Sequence, residues 1–220
     1  MKRENDLGRD AILPLVLRIA LPSMLAQFVS VFYSIVDRMY IGNIPEIGDV
    51  ALAGVGVCGP IVNVVGAFAF LVGVGGAPLM SIKLGEGDRR AAERVLANCF
   101  LMLLGLSVIL TGLSLACRET LLMWFGASPA TFPYADAYIT VYLMGTVFAL
   151  MTSGLNQFIV CQGYANTAMT SVVLGAVLNI ILDPVFIFLL DMGVQGAALA
   201  TVLSQAASCG FVLLFLFGRR

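Results

Sequence analysis

Six stretches of this 220-residue chain are too long and too apolar to be anything other than membrane-crossing segments. Reading apolar runs of at least about 18 residues as spans places them at roughly 14–41, 50–82, 95–116, 133–160, 167–190 and 194–217. In hydrocarbon every backbone N–H and C=O needs an internal partner, so a span is either a helix or a strand of a closed barrel. A barrel strand alternates over about ten residues, and these runs are longer and continuous. The fold class is therefore all-α integral membrane, with residues 1–220 as a single six-helix transmembrane lobe. Composition agrees: 60% of residues are hydrophobic and 11% charged, far from the usual soluble balance. The 23 glycines suit helices whose backbones approach closely. The second run, "ALAGVGVCGPIVNVVGAFAFLVGVGGAPLMSI", is over-long and carries seven glycines and two prolines, so it is expected to be tilted, bent or interrupted.

Six spans put both chain ends on one side. That side gathers Lys2, Arg3, Arg9, Arg18, Lys83, Arg89, Arg90, Arg94, Arg219 and Arg220, whereas the other has only Arg38 and Arg118. The positive-inside rule makes both termini cytoplasmic and the protein multi-pass in the cytoplasmic membrane. The first run is long and lacks an evident small-residue cleavage site, so it reads as a true span rather than a signal peptide. Cys58, Cys99, Cys117, Cys161 and Cys209 are scattered without CxxC pairing and read as small packing residues. The absence of histidine rules out His proton relays, His metal sites and Ser/His catalysis.

Two carboxylates lie well inside the apolar runs: Asp37 in "VFYSIVDRMYIG" and Asp183 in "NIILDPVFIF". Burying a charge in lipid is costly enough that such a residue is a functional candidate by default. The alternatives are an interfacial Asp37 reaching headgroups beside Arg38, and an Asp183 that merely hydrogen-bonds a neighbour in a kinked helix. At about 1.5 Å per residue, Asp37 lies about 8 Å from the outer end of its run, Asp183 about 9 Å and Thr201 about 10 Å. Three helices thus bring polar groups to one level. Asn179, four residues before Asp183, shares its helix face. Pro184 is the expected bending point, because it cannot donate to the Ile180 carbonyl. The resulting all-oxygen set of Asp37, Asn179, Asp183 and Thr201, with the freed Ile180 carbonyl, suits a hard cation such as Na⁺, or a proton shared between carboxylates.

Gln27, Asn63, Asn156 and Gln205, with Thr152, Ser153 and Gln157, are candidates to line a cavity, although such residues also serve as ordinary interhelical hydrogen-bonders. "GEGD" at Gly85–Asp88 matches the GxGD string of intramembrane aspartyl proteases but sits in a charged loop.

In order and spacing, "SIVDRMYIG", "GVGGAPLMSIKLGEGDRRAAERVLAN", "QGYANTAMTSVVLGAVLNIILDPVFIF" and "GVQGAALATVLSQ" resemble the amino-terminal lobe of multidrug and toxic compound extrusion (MATE) transporters. The resemblance covers nearly the whole chain. It implies a cation-coupled exporter built from two six-helix lobes, with Asp37, Asn179, Asp183 and Thr201 at the positions associated with Na⁺ or H⁺ coupling. It also implies no enzyme activity, no cofactor beyond the coupling ion and no nucleic-acid partner. The expected partners are a drug-like or cationic small molecule, membrane lipid, and a second lobe, absent from this chain, supplied by another chain or a homodimer. Three other functions fit part of this pattern: a lipid-linked precursor flippase, an intramembrane aspartyl protease, and a non-transporting half-protein or scaffold.

Overall fold

The computed structural model describes residues 11–218. Lys2, Arg3, Arg9, Arg219 and Arg220, which weigh in the orientation argument, lie outside the described residues. The described chain is helical: α1 (Ile12–Gly42), α2 (Gly48–Gly85), α3 (Arg89–Ala116), α4 (Arg118–Trp124), α5 (Phe132–Met144), α6 (Thr146–Cys161), α7 (Ala165–Pro184), a π-helical turn (Val185–Leu189) and α8 (Gly193–Phe217). The helices α1, α2, α3, α7 with its π turn, and α8 are each long and apolar enough to cross a membrane. Counting α5 with α6 as one broken span brings the total to six.

The structure departs from the sequence expectation in where the breaks fall. Of the outcomes expected for the second run, interruption does not occur: α2 is one unbroken 38-residue helix containing Pro60 and Pro78. At about 57 Å this helix exceeds the roughly 30 Å hydrocarbon core. The break falls instead in the fourth run, where α5 and α6 meet at Gly145 with a 57° bend. A Cβ at Gly145 would run into both γ-carbons of Val202 on α8, so close approach of the corner to α8 requires glycine. Hydropathy stays high across this corner and does not record it. The short helix α4 is likewise invisible in the apolar pattern.

Close helix contacts hold the bundle together. At the α2–α6 crossing, a Cβ on Gly73 would lie 2.7 Å from the Gly154 carbonyl oxygen, and one on Gly154 would lie 2.7 Å from Leu103 of α3. Small residues here let backbones touch. The α2–α3 connection is a tight hairpin in which Gly87 takes φ +80° and the Asp88 carboxylate accepts from the Ala91 N–H at 3.0 Å, capping α3. The "GEGD" string is therefore turn and cap.

Arg118 Nε donates to Asp136 Oδ1 at 2.8 Å and links α4 to α5. Both side chains are partly exposed, and such pairs contribute about 0–1 kcal/mol. Arg118→Ala is accordingly expected to lower the melting temperature by only a few degrees, as thermal melts would show.

Candidate functional site

The oxygen set expected from sequence converges in three dimensions. Asn179 and Asp183 lie one turn apart on α7, and Thr201 faces them from α8. The Asn179 amide Nδ2 donates to Asp183 Oδ1 at 3.1 Å and to Thr201 Oγ1 at 3.3 Å. Asp37 reaches in from α1, close enough for its carboxyl to interact with that of Asp183. Asp183 is fully buried, Asn179 is 1% exposed and Asp37 8%.

Among the described residues no Lys or Arg forms a salt bridge with this cluster. Asp37 Oδ1, Asp183 Oδ2 and Asn179 Oδ1 are all buried without a hydrogen-bond donor. Three unpaired acceptors, two of them carboxylate oxygens, are costly in a low-dielectric interior unless a cation or proton joins them. Arg38 lines the adjoining crevice but is exposed. Among the described residues no group of three or more His, Cys, Asp or Glu could hold a metal ion. The site thus offers two carboxylates and neutral oxygens, a donor set that fits a monovalent hard cation or a proton.

Pro184 acts differently from a simple kink. Beyond it the hydrogen bonding changes from i→i+4 to i→i+5, with the Leu190 N–H bonding the Val185 carbonyl at 2.9 Å, and α7 and its turn remain one span. Gly196 of α8 packs so closely on this turn that a Cβ there would lie 2.7 Å from the Phe186 carbonyl. The change of pitch immediately follows the buried carboxylate, and π turns recur at functional sites.

A polar crevice leads away from the cluster. A chamber of about 190 Å³ joins Asp37 and Thr201 with Asn63, Gln205, Tyr138 and Tyr142. One of about 130 Å³ continues past Asn179, Tyr33, Ser204 and Ser208. A third, of about 310 Å³, contains Gln27, Ser30, Ser153, Asn156 and Gln157. Tyr33, Thr201 and Gln205 line both of the first two chambers, and Ser30 and Ser153 line the second and third. All seven residues named from the sequence as cavity candidates therefore line the crevice, Thr152 in the second chamber. Asn156 is also an interhelical clamp, donating to the Ala168 carbonyl at 3.2 Å and accepting from Ser171 at 3.3 Å. The Gln205 Oε1 is buried without a partner.

Sequence reasoning did not identify Ser30, Tyr33, Tyr138 and Tyr142. The last two are buried and stacked, with centroids 6.1 Å apart. For α1 a signal was present: Ser23, Gln27, Ser30, Tyr33 and Asp37 recur at intervals of three and four, marking one polar face of an otherwise apolar span.

Apolar spans enclosing a polar crevice that ends on buried carboxylates define a helical membrane lobe with a polar interior. The MatE family model matches residues 22–185, and the chain belongs to that family. It is similar to the multidrug export protein MepA of Staphylococcus haemolyticus (strain JCSC1435), 29% identical over 96% of this chain and 46% of that protein. It is also similar to the probable multidrug resistance protein YpnP of Bacillus subtilis (strain 168), 26% identical over 97% of this chain and 46% of that protein. A solved outward-facing multidrug resistance MATE family transporter of the MOP superfamily superposes with a TM-score of 0.86 at 31% identity, over 93% of this chain and 45% of that one. The chain spans about half the length of the curated relatives it matches.

Proposed function

We propose that this lobe serves a Na⁺- or H⁺-coupled antiporter that exports drug-like or cationic amphipathic small molecules across the cytoplasmic membrane, with both ends of the lobe cytoplasmic. The observation that carries the coupling is the set of three buried, unpartnered oxygens on Asp37, Asn179 and Asp183. In this reading Asp37 and Asp183 are the switchable carboxylates, and Asn179 and Thr201 complete the cation shell. Antiport requires that ion occupancy bias two packings of the helices. The α7–π junction at Pro184 and the Gly145 corner are where such repacking would concentrate. A second lobe, from further sequence, another chain or a second copy, would complete the transport path.

The test is efflux of a fluorescent cation from proteoliposomes under an imposed Na⁺ or proton gradient. Gradient-dependent efflux is expected, and efflux indifferent to both gradients would sink the proposal. Thr201→Val deletes one neutral ligand, a loss on the order of 1 kcal/mol. It is expected to raise the cation concentration for half-maximal efflux by roughly five- to tenfold while leaving the maximal rate near wild type. An unchanged cation dependence would remove Thr201 from the shell.

A further inference from the structure

The basic end of the bundle carries a second feature that the transport reading does not use. An apolar groove of about 490 Å³ runs between α3 and the end of α8, lined by Ala97, Phe100, Leu101, Leu213 and Phe217. Phe100 and Phe217 meet edge to face at 5.5 Å, joining its two walls. Leu101 and Phe217 remain more than half exposed.

What distinguishes this groove from any other lipid-facing surface is the charge at its end. Arg90, Arg94, Ala97 and Leu101 follow one another at intervals of four, three and four, so they share a face of α3. Arg94 stands about 4.5 Å along the axis from Ala97, at the height where a headgroup would sit above a chain in the groove. Arg89, Arg90 and Arg94 are exposed and form no salt bridge among the described residues. The nearby acids are largely committed: Glu86 pairs with Lys83 at 2.8 Å and Asp88 caps α3, leaving Glu93 as the opposing charge on this face. The amino end of α3 adds its partial positive charge. In sequence, Arg219 and Arg220 follow Phe217 by two and three residues.

We propose that this groove is a binding site for an anionic phospholipid, with an acyl chain between α3 and α8 and the phosphate held by Arg90 and Arg94. Arginine forks bind phosphate oxygens with charge-assisted hydrogen bonds, and basic clusters beside membrane helices select anionic headgroups. A neutral lipid satisfies the apolar walls equally well but leaves the arginines without a partner.

The experiment places the full protein in nanodiscs containing trace photoreactive phosphatidylglycerol or phosphatidylcholine and maps the crosslinks by mass spectrometry. Phosphatidylglycerol is expected to label the peptides around Ala97–Leu101 and Leu213–Phe217 about tenfold more than phosphatidylcholine. The paired change Arg90→Ser and Arg94→Ser should bring it down to the phosphatidylcholine level, and the paired Lys replacements should largely keep it. Ala97→Trp, which fills the groove from an exposed position, should abolish labelling by both lipids. Equal labelling by the two lipids, or anionic preference surviving the Ser changes, would overturn the proposal. Labelling undiminished by Ala97→Trp would overturn the role of the groove.

Discussion

Asp183→Asn is expected to leave the protein inserted and folded while removing the gradient-driven component of export. The wild-type side chain is fully buried, with Oδ1 accepting from Asn179 and Oδ2 facing no donor. Asparagine keeps the shape and can still accept from Asn179 through its carbonyl oxygen. Its amide nitrogen, placed where Oδ2 was, can donate toward Asp37, as a permanently protonated acid would. The substitution therefore fixes one state of the switch. Stability should stay near wild type or rise, because an unsatisfied pair of acceptors gains a donor. Asp183→Leu is the contrasting case: it strips an acceptor from Asn179 and inserts a hydrocarbon beside Asp37, so it should lose both export and about 1–3 kcal/mol of stability. Thermal melts and proteoliposome efflux on the two variants separate switching from folding. Undiminished ion-driven efflux by Asp183→Asn would remove Asp183 from the mechanism.

The four coupling candidates were legible in the sequence because membrane burial makes each polar residue costly and therefore conspicuous. Asp37 and Asp183 stand out within runs that contain almost no other charge, and a constant rise per residue suffices to compare their depths. The spacing of Asn179 and Asp183 likewise places them on one helix face, and there the structure contains a hydrogen bond between them. The tyrosines of the crevice were not legible, since a Tyr in an apolar run fits an interfacial belt or a packed core as well as a cavity wall. The corner at Gly145 was hidden for another reason. Hydropathy registers whether a residue tolerates lipid, not which way the helix axis points, and the steric demand of Val202 exists only once α8 has packed. Of the outcomes that proline suggested for α2, interruption did not occur: the helix contains two and runs unbroken.

The second large effect is expected from Gly154→Leu, which should cost most of the folded protein. Gly154 sits where three helices meet. A Cβ there would lie 2.7 and 2.8 Å from the two δ-carbons of Leu103 and 3.3 Å from the Ala69 carbonyl oxygen of α2. Leu103 is fully buried, and the Ala69 oxygen belongs to a helix backbone. Accommodating four carbons therefore requires α6 to move away from α2 and α3. Overpacking of this kind costs about 1–3 kcal/mol and occasionally more, and no hydrophobic gain offsets it, since lipid tails are as apolar as leucine. Residues on either side of Gly154 face the crevice, Ser153 and Asn156 among them, so a displaced α6 also disturbs the polar path to the carboxylates. Gly105→Leu on α3 is the control: a Cβ there meets nothing within 4 Å, so yield and melting temperature should stay near wild type. Combining Gly154→Ala with Leu103→Ala should be less damaging than Gly154→Leu, because it returns most of the volume that the crossing lacks. Equal melting temperatures for Gly154→Leu and Gly105→Leu would show that close backbone contact at this crossing is not what holds α6 in place.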